Sequence, residues 1–214
     1  MCGIWAYFNK ETIEASEMTK KVMGFRSKVK KIRHRGPDWS GSYQAQEPKQ
    51  IYIAHERLAI NGVESGSQPI HNTGLGIVLS VNGEIYNHLE IRAQFNNEFN
   101  FKSTGDTETV LYAFIKFGSD FLKKLNGIFA LAIYDIQEKK LFIARDRVGI
   151  KPLYYYHKNG IFVFGSEIKS ILQHPDIIKQ INYEEMANYL AFSMSSDKDS
   201  MFAGIHKLPA GHYG

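Results

Sequence analysis

A single cysteine leaves no partner for an internal disulfide. The chain is therefore not read as a secreted disulfide scaffold, and a reducing, cytoplasmic setting is the default. No apolar run approaches the roughly 20 residues that a membrane-spanning helix needs. The N-terminus has no basic segment followed by a long apolar core, which argues against a signal peptide. The eight histidines show no spacing of the zinc-protease or zinc-finger type, and one thiol cannot build a thiolate metal site. Neither a Walker-type phosphate loop nor a dinucleotide-binding glycine fingerprint is present. Internal repeats, low-complexity tracts and linkers are also missing, which favours one domain.

What is present is ordinary for a folded protein: 43% hydrophobic and 22% charged residues over 214 positions, enough to bury a core. The 14 Phe and 12 Tyr favour strands and aromatic packing. The net charge of +4 arises largely between Lys20 and Arg35. In that stretch Met18, Val22, Phe25, Val29 and Ile32 recur at steps of four and three, which places them on one helical face. Lys20, Lys21, Lys28, Lys30 and Lys31 lie largely off that stripe. The basic cluster is therefore expected to be the solvated side of an amphipathic helix rather than a nucleic-acid patch.

The opening residues, 2–8, read as a buried strand, and Gly36-Pro37 ends the basic helix in a loop. Further strands are expected at 51–54, 76–81, 129–134, 140–144, 153–156 and 161–164. Helices are expected at 87–95, 107–117, 167–172 and 183–192, with Asp106 as a candidate N-cap. Strands and helices succeed one another in groups rather than in strict alternation, which points to a layered α+β domain.

Cys2 is the first candidate for chemistry. With Met1 removed, its own α-amine, of ordinary pKa about 7.7–8.0, lies beside Sγ and can take up and return a proton near neutral pH. Taken alone, Cys2 reads more readily as a small hydrophobe opening a strand. Attack by a thiolate on an acyl carbon creates an oxyanion that needs fixed donors. The Asn82 side chain and the Gly83 amide could supply them, or the pair could be a plain Asn-Gly turn. If the substrate is an amino acid, Arg57 could grip its α-carboxylate, and Glu84 and Asp106 its ammonium. The same residues could equally be a surface ion pair, a solvated loop residue and a helix cap. The residues alone leave both sets open.

The ordered motifs narrow the choice. Met1-Cys2-Gly3-Ile4-Trp5, His34-Arg35-Gly36-Pro37-Asp38, His55-Glu56-Arg57-Leu58, Asn82-Gly83-Glu84-Ile85-Tyr86-Asn87 and Gly105-Asp106-Thr107-Glu108 resemble class II (N-terminal nucleophile) glutamine amidotransferases. With Asn126 to Ala130, Ala144 to Arg147, Gly149 to Tyr154 and Leu208 to Tyr213, the likeness runs nearly end to end. It is narrowest to the N-terminal glutaminase domain of glutamine-hydrolysing asparagine synthetases.

That resemblance implies one domain over residues 1–214, a four-layer αββα sandwich of the N-terminal-nucleophile hydrolase type. It implies Cys2 as nucleophile, Asn82 and Gly83 as oxyanion donors and Arg57 on the glutamine carboxylate. Glu84 and Asp106 would hold the ammonium, and the main chain of Leu58, Ala59, Ile60 and Asn61 would line the pocket. His34 to Asp38 would be structural.

The implied partners are L-glutamine and a C-terminal synthetase domain. No nucleic acid or membrane is expected, and a homodimer is compatible with the resemblance. No metal or cofactor is implied for glutamine hydrolysis; ATP and magnesium are expected only in the synthetase domain. That domain's Ser-Gly-Gly-x-Asp-Ser loop is absent from this chain, so the chain by itself is expected not to make asparagine. The alternatives are a glutaminase serving another acceptor, a relative that has lost glutaminase function, and a non-catalytic binding module of the same fold.

Overall fold

Two-residue alternation along the strands sets the architecture. The computed structural model describes residues 1–9, 24–45, 50–60, 62, 64–95 and 98–214. A six-stranded sheet contains β1 (Gly3–Asn9), β2 (Trp39–Ala45), β3 (Gln50–Arg57), β8 (Tyr154–Lys158), β9 (Ile161–Gly165) and β10 (Ile205–Lys207). Its strand order is β10-β8-β9-β1-β3-β2. A four-stranded sheet contains β4 (Ile70–Asn72), β5 (Ile77–Ile85), β6 (Gly127–Asp135) and β7 (Lys140–Arg145) in sequential order. Every pairing is antiparallel.

Successive side chains leave a strand on opposite faces, and the core divides accordingly. On β1, Trp5 and Tyr7 pack outward against Phe25, Val29 and Ile32. Ile4 and Ala6 face inward and meet Val78, Ala130, Ala132 and Tyr134 of the other sheet. On β5, Leu79 and Val81 lie under α1 (His88–Ala93), α2 (Thr107–Phe117) and α3 (Phe121–Lys124). The outer face of the six-stranded sheet is covered by helical residues 24–29, a 3-10 turn at Lys30–Arg35, and α4 (Ile168–Ile171). Helices, sheet, sheet and helices make the expected four-layer αββα sandwich.

Phe25, Val29 and Ile32 are buried as their spacing requires, while Lys30 and Lys31 are exposed. Lys28 is a correction: it is buried rather than solvated, with its ammonium 4.6 Å from the Phe25 ring centroid. An aromatic face can hold a cation that periodicity alone assigns to water. Met18, Lys20, Lys21 and Val22 fall outside the described residues. α5 (Tyr183–Phe192) has the expected bounds; it buries Glu185 and exposes Tyr183, Leu190 and Phe192. The Glu185 carboxylate earns its burial by accepting the Ser196 amide at 2.7 Å.

Candidate functional site

The gap between the sheets is apolar along most of its length and polar at one end. Continuing the inward positions of β1, β3 and β5 by steps of two brings Cys2, His55, Arg57, Ser80, Asn82 and Glu84 to that end.

The chain start is pinned there. The Ile4 amide donates to Ser166 Oγ at 2.9 Å, and the Ser166 amide returns a bond to the Ile4 carbonyl at 2.9 Å. Arg35 Nε donates to the Cys2 carbonyl at 2.9 Å while its guanidinium pairs with Glu167 at 3.0 Å. His34 meets the same carboxylate at 2.8 Å. Asp38 braces the next wall: its amide donates to the Arg57 carbonyl at 3.1 Å and its carboxylate accepts the Ala59 amide at 2.8 Å. Gly36 lets this loop approach β3, since a Cβ there would fall 2.2 Å from the Glu56 carbonyl oxygen. The expectation that His34 to Asp38 are structural agrees with these contacts.

Cys2 is half-buried, and its Sγ lies 3.4 Å from the Leu58 nitrogen and 3.6 Å from the Leu58 oxygen. Burial pushes the thiol above its ordinary pKa. The Leu58 amide, the N-terminal ammonium and Arg57 pull it back, whereas the Glu84 carboxylate adds to the rise. With Met1 in place, burial therefore favours the thiol form of Cys2 over the thiolate.

Asn82 and Gly83 do not form a turn. Both lie inside β5, opposite Ala130 and Phe129 of β6. The Val81 amide donates to Gln68 Oε1 at 2.7 Å and the Ile85 amide to Asp106 Oδ2 at 2.7 Å, both on the side of β5 away from β6. Alternation puts the Gly83 N–H on that same side, and Gly83 shares a cavity lining with Cys2. Only glycine fits, because a Cβ would fall 2.1 Å from the Ile128 carbonyl oxygen. Asn82 is 1% exposed, and neither atom of its amide has a hydrogen-bond partner among the described residues. An unpaired buried polar group costs about 1–3 kcal/mol against a total stability of about 5–15 kcal/mol.

Arg57 is buried rather than a surface ion-pair residue, and its guanidinium donates to the Gly62 carbonyl at 2.7 Å. Glu84 sits half-buried in a strand, not in a loop. Asp106 makes no side-chain cap to α2; its buried carboxylate ties the helix start to β5 through Ile85.

The structure brings Cys2, Arg57, Leu58, Gly83, Glu84 and Asp106 around one cavity of about 30 Å³. That volume suits a water rather than an amino acid, so entry of a larger ligand requires the walls to part. Gly66, Gln68, Ile70, Val81, Ser103, Gly105 and Thr107 complete the lining, and none was singled out as a contact from the sequence. The lining includes neither Asn82, which is buried, nor Ala59, and Ile60 is exposed. Asn61 falls outside the described residues. A larger cavity of about 790 Å³, lined by Phe8, Phe142 and Tyr155 among others, contains none of these residues.

No group of three or more His, Cys, Asp or Glu side chains gathers as a metal site among the described residues. Among them, too, no helix is long and apolar enough to cross a membrane.

The glutamine amidotransferase domain family model matches residues 1–214. A probable glutamine-hydrolysing asparagine synthetase of Dictyostelium discoideum is 42% identical over 174 residues, 80% of this chain and 30% of that protein. A glutamine-hydrolysing asparagine synthetase of Bacillus subtilis is 35% identical over 218 residues, covering 100% of this chain and 28% of its own length. Asparagine synthetase B of Escherichia coli is 39% identical over 181 residues, 84% of this chain and 31% of that protein. The chain thus spans about a third or less of the curated relatives it matches. Among solved structures, a glutamine phosphoribosylpyrophosphate amidotransferase from B. subtilis superposes with a TM-score of 0.61 at 18% identity. That match covers 79% of this chain and 43% of the other, and at this identity it speaks for the fold alone.

Proposed function

We propose that this chain, which belongs to the glutamine amidotransferase domain family, hydrolyses the side-chain amide of L-glutamine through Cys2, made N-terminal by removal of Met1. The observation that carries this reading is the meeting of Cys2 and Gly83 at one cavity, with the neighbouring Asn82 amide buried and unpartnered among the described residues.

The α-amine of Cys2 takes the Sγ proton as sulfur attacks the amide carbon. The resulting oxyanion rests on the Gly83 N–H and the Asn82 side-chain amide. The amine passes its proton to the departing nitrogen, the C–N bond breaks, and ammonia leaves behind a γ-glutamyl thioester. Water then attacks the thioester carbonyl and yields a proton to the same amine. The C–S bond breaks, the proton returns to Sγ, and glutamate is released. Arg57 holds the α-carboxylate, Glu84 and Asp106 hold the ammonium, and Leu58 borders them. By this reading the hydrolytic steps need no metal or cofactor.

In a longer polypeptide we infer that the ammonia would pass to a C-terminal synthetase domain using ATP and magnesium; the relatives are named as glutamine-hydrolysing asparagine synthetases. The test is glutamine-dependent ammonia release by protein whose intact mass verifies a Cys start, beside labelling of Cys2 by an electrophilic glutamine mimic. Turnover with one label per chain is expected. No ammonia and no label from verified material would overturn the proposal and leave a binding module of the same fold.

A further inference from the structure

The segment from Lys102 to Asp106 forms one wall of the Cys2 cavity, contributing Ser103, Gly105 and Asp106. It has no ladder of its own, and two side chains outside the lining hold it from opposite sides. Arg92, on α1, donates to the Ser103 carbonyl at 3.0 Å and to the Gly105 carbonyl, while its Nε donates to Thr109 Oγ1 at 2.8 Å. Its guanidinium carbon lies 4.1 Å from the Phe101 ring centroid, which fixes the plane of the fork. Glu108, on α2 and buried, accepts the Lys102 amide at 3.0 Å, and the Ser103 amide and hydroxyl at 2.8 Å each. The wall's carbonyls are thus held by a cation and its amides by an anion, with charge-assisted bonds throughout.

The wall abuts the carboxylate side of the cavity. A Cβ on Gly62 would come within 3.2 Å of Gly105 Cα, and Gly62 is the residue whose carbonyl Arg57 engages. The placement of Asp106 relative to Arg57 therefore depends on how firmly the wall is held.

We propose that Arg92, assisted by Glu108, is a positioning residue for the α-ammonium end of glutamine. This rests on the glutaminase reading. Arg92 touches no reacting atom; it sets the separation between the two grips on the substrate's zwitterionic end. That end is distant from the amide carbon where bonds change, so its contacts serve ground state and transition state alike. Loosening them raises KM and leaves kcat nearly unchanged. A lysine keeps the charge at residue 92 but cannot fork to two carbonyls and a hydroxyl.

The test compares wild type, Arg92→Lys and Glu108→Gln, all with a verified Cys start, in steady-state ammonia release from glutamine and in alkylation of Cys2 by iodoacetamide. Arg92→Lys is expected to raise KM roughly 10- to 100-fold, the loss of one to two charged hydrogen bonds, with kcat within about threefold. Iodoacetamide has no ammonium to place and should alkylate wild type and variant at the same rate. Glu108→Gln should shift KM in the same direction by a smaller factor, and it carries the test if Arg92→Lys does not fold. An unchanged KM in a folded variant overturns the proposal, as does a fall in kcat with KM constant. Absence of ammonia release from wild type would instead defeat the glutaminase reading on which the proposal stands.

Discussion

The carboxylate of Asp106 accepts the amide of Ile85 at 2.7 Å and leaves the first turn of its own helix uncapped. The bond is a strut between the N-terminus of α2 and the strand carrying Asn82, Gly83 and Glu84. Asp106→Ala should cost about 1–3 kcal/mol, because the Ile85 N–H is buried without a partner. Asp106→Asn retains an acceptor oxygen and should melt within about 1 kcal/mol of wild type, yet raise KM for glutamine through loss of the charge. Urea melts beside steady-state kinetics separate the strut from the ammonium contact; equal KM values for Asn and wild type would remove Asp106 from the substrate site.

Asn82 offers the opposite pattern. Its amide makes no hydrogen bond among the described residues, so Asn82→Ala breaks none. The urea midpoint should hold or rise, while kcat for ammonia release falls roughly 10²- to 10³-fold. A variant that lost stability and kept its rate would place Asn82 in the scaffold.

The base proposed here exists only if Cys2 is terminal. An alanine inserted between Met1 and Cys2 should leave the fold intact, because the bonds to the Cys2 carbonyl and the Ile4 amide are unaffected. Loss of a positioned base should lower the rate roughly 10²- to 10⁴-fold. Ammonia release and intact mass measured on the same sample decide the matter.

His55 supplies a pH signature. It is fully buried, its Nδ1 lies 2.9 Å from Ser80 Oγ, and burial, reinforced by Arg57, lowers its pKa from 6.5 to about 3. The unfolded chain binds a proton below pH 6.5 that the folded chain refuses until about pH 3. The stability from neutral His55 is therefore complete above pH 6.5 and is lost on acidification through that window, by about 1.4 kcal/mol per pH unit. His55→Gln should flatten this part of the curve in urea melts between pH 4 and 7. An unchanged slope would assign the acid sensitivity to other groups.

Periodicity made most of the fold legible. The expected helices at 107–117 and 183–192 coincide with α2 and α5, and the later strands fall within a few residues of the runs of β-branched and aromatic residues. The Asn-Gly turn signal at 82–83 was outweighed by pairing of the whole of β5 with β6, a long-range effect that no local rule contains. The burial of Glu185 on α5 was hidden because its carboxylate bonds a backbone amide eleven residues away.

The same limit governs the site. Cys2, Arg57, Glu84 and Asp106 could be named because their side chains have chemistry to offer, and the family likeness gave each a role. Ser103 and Gly105 offer mainly shape and backbone. Arg92 and Glu108 grip main-chain atoms of a wall five to thirteen residues distant, and spacing carries no signature for such a grip.

The backbone contacts at Gly36 and Gly83 have a consequence for anyone re-aiming this pocket. Each position faces a carbonyl oxygen across a gap that no side-chain atom can enter. A saturation library should return glycine alone at both, even when clones are screened only for soluble expression. Redesign of substrate preference is left to the other walls, with Gly83 in the cavity lining and Gly36 against β3 acting as fixed datums.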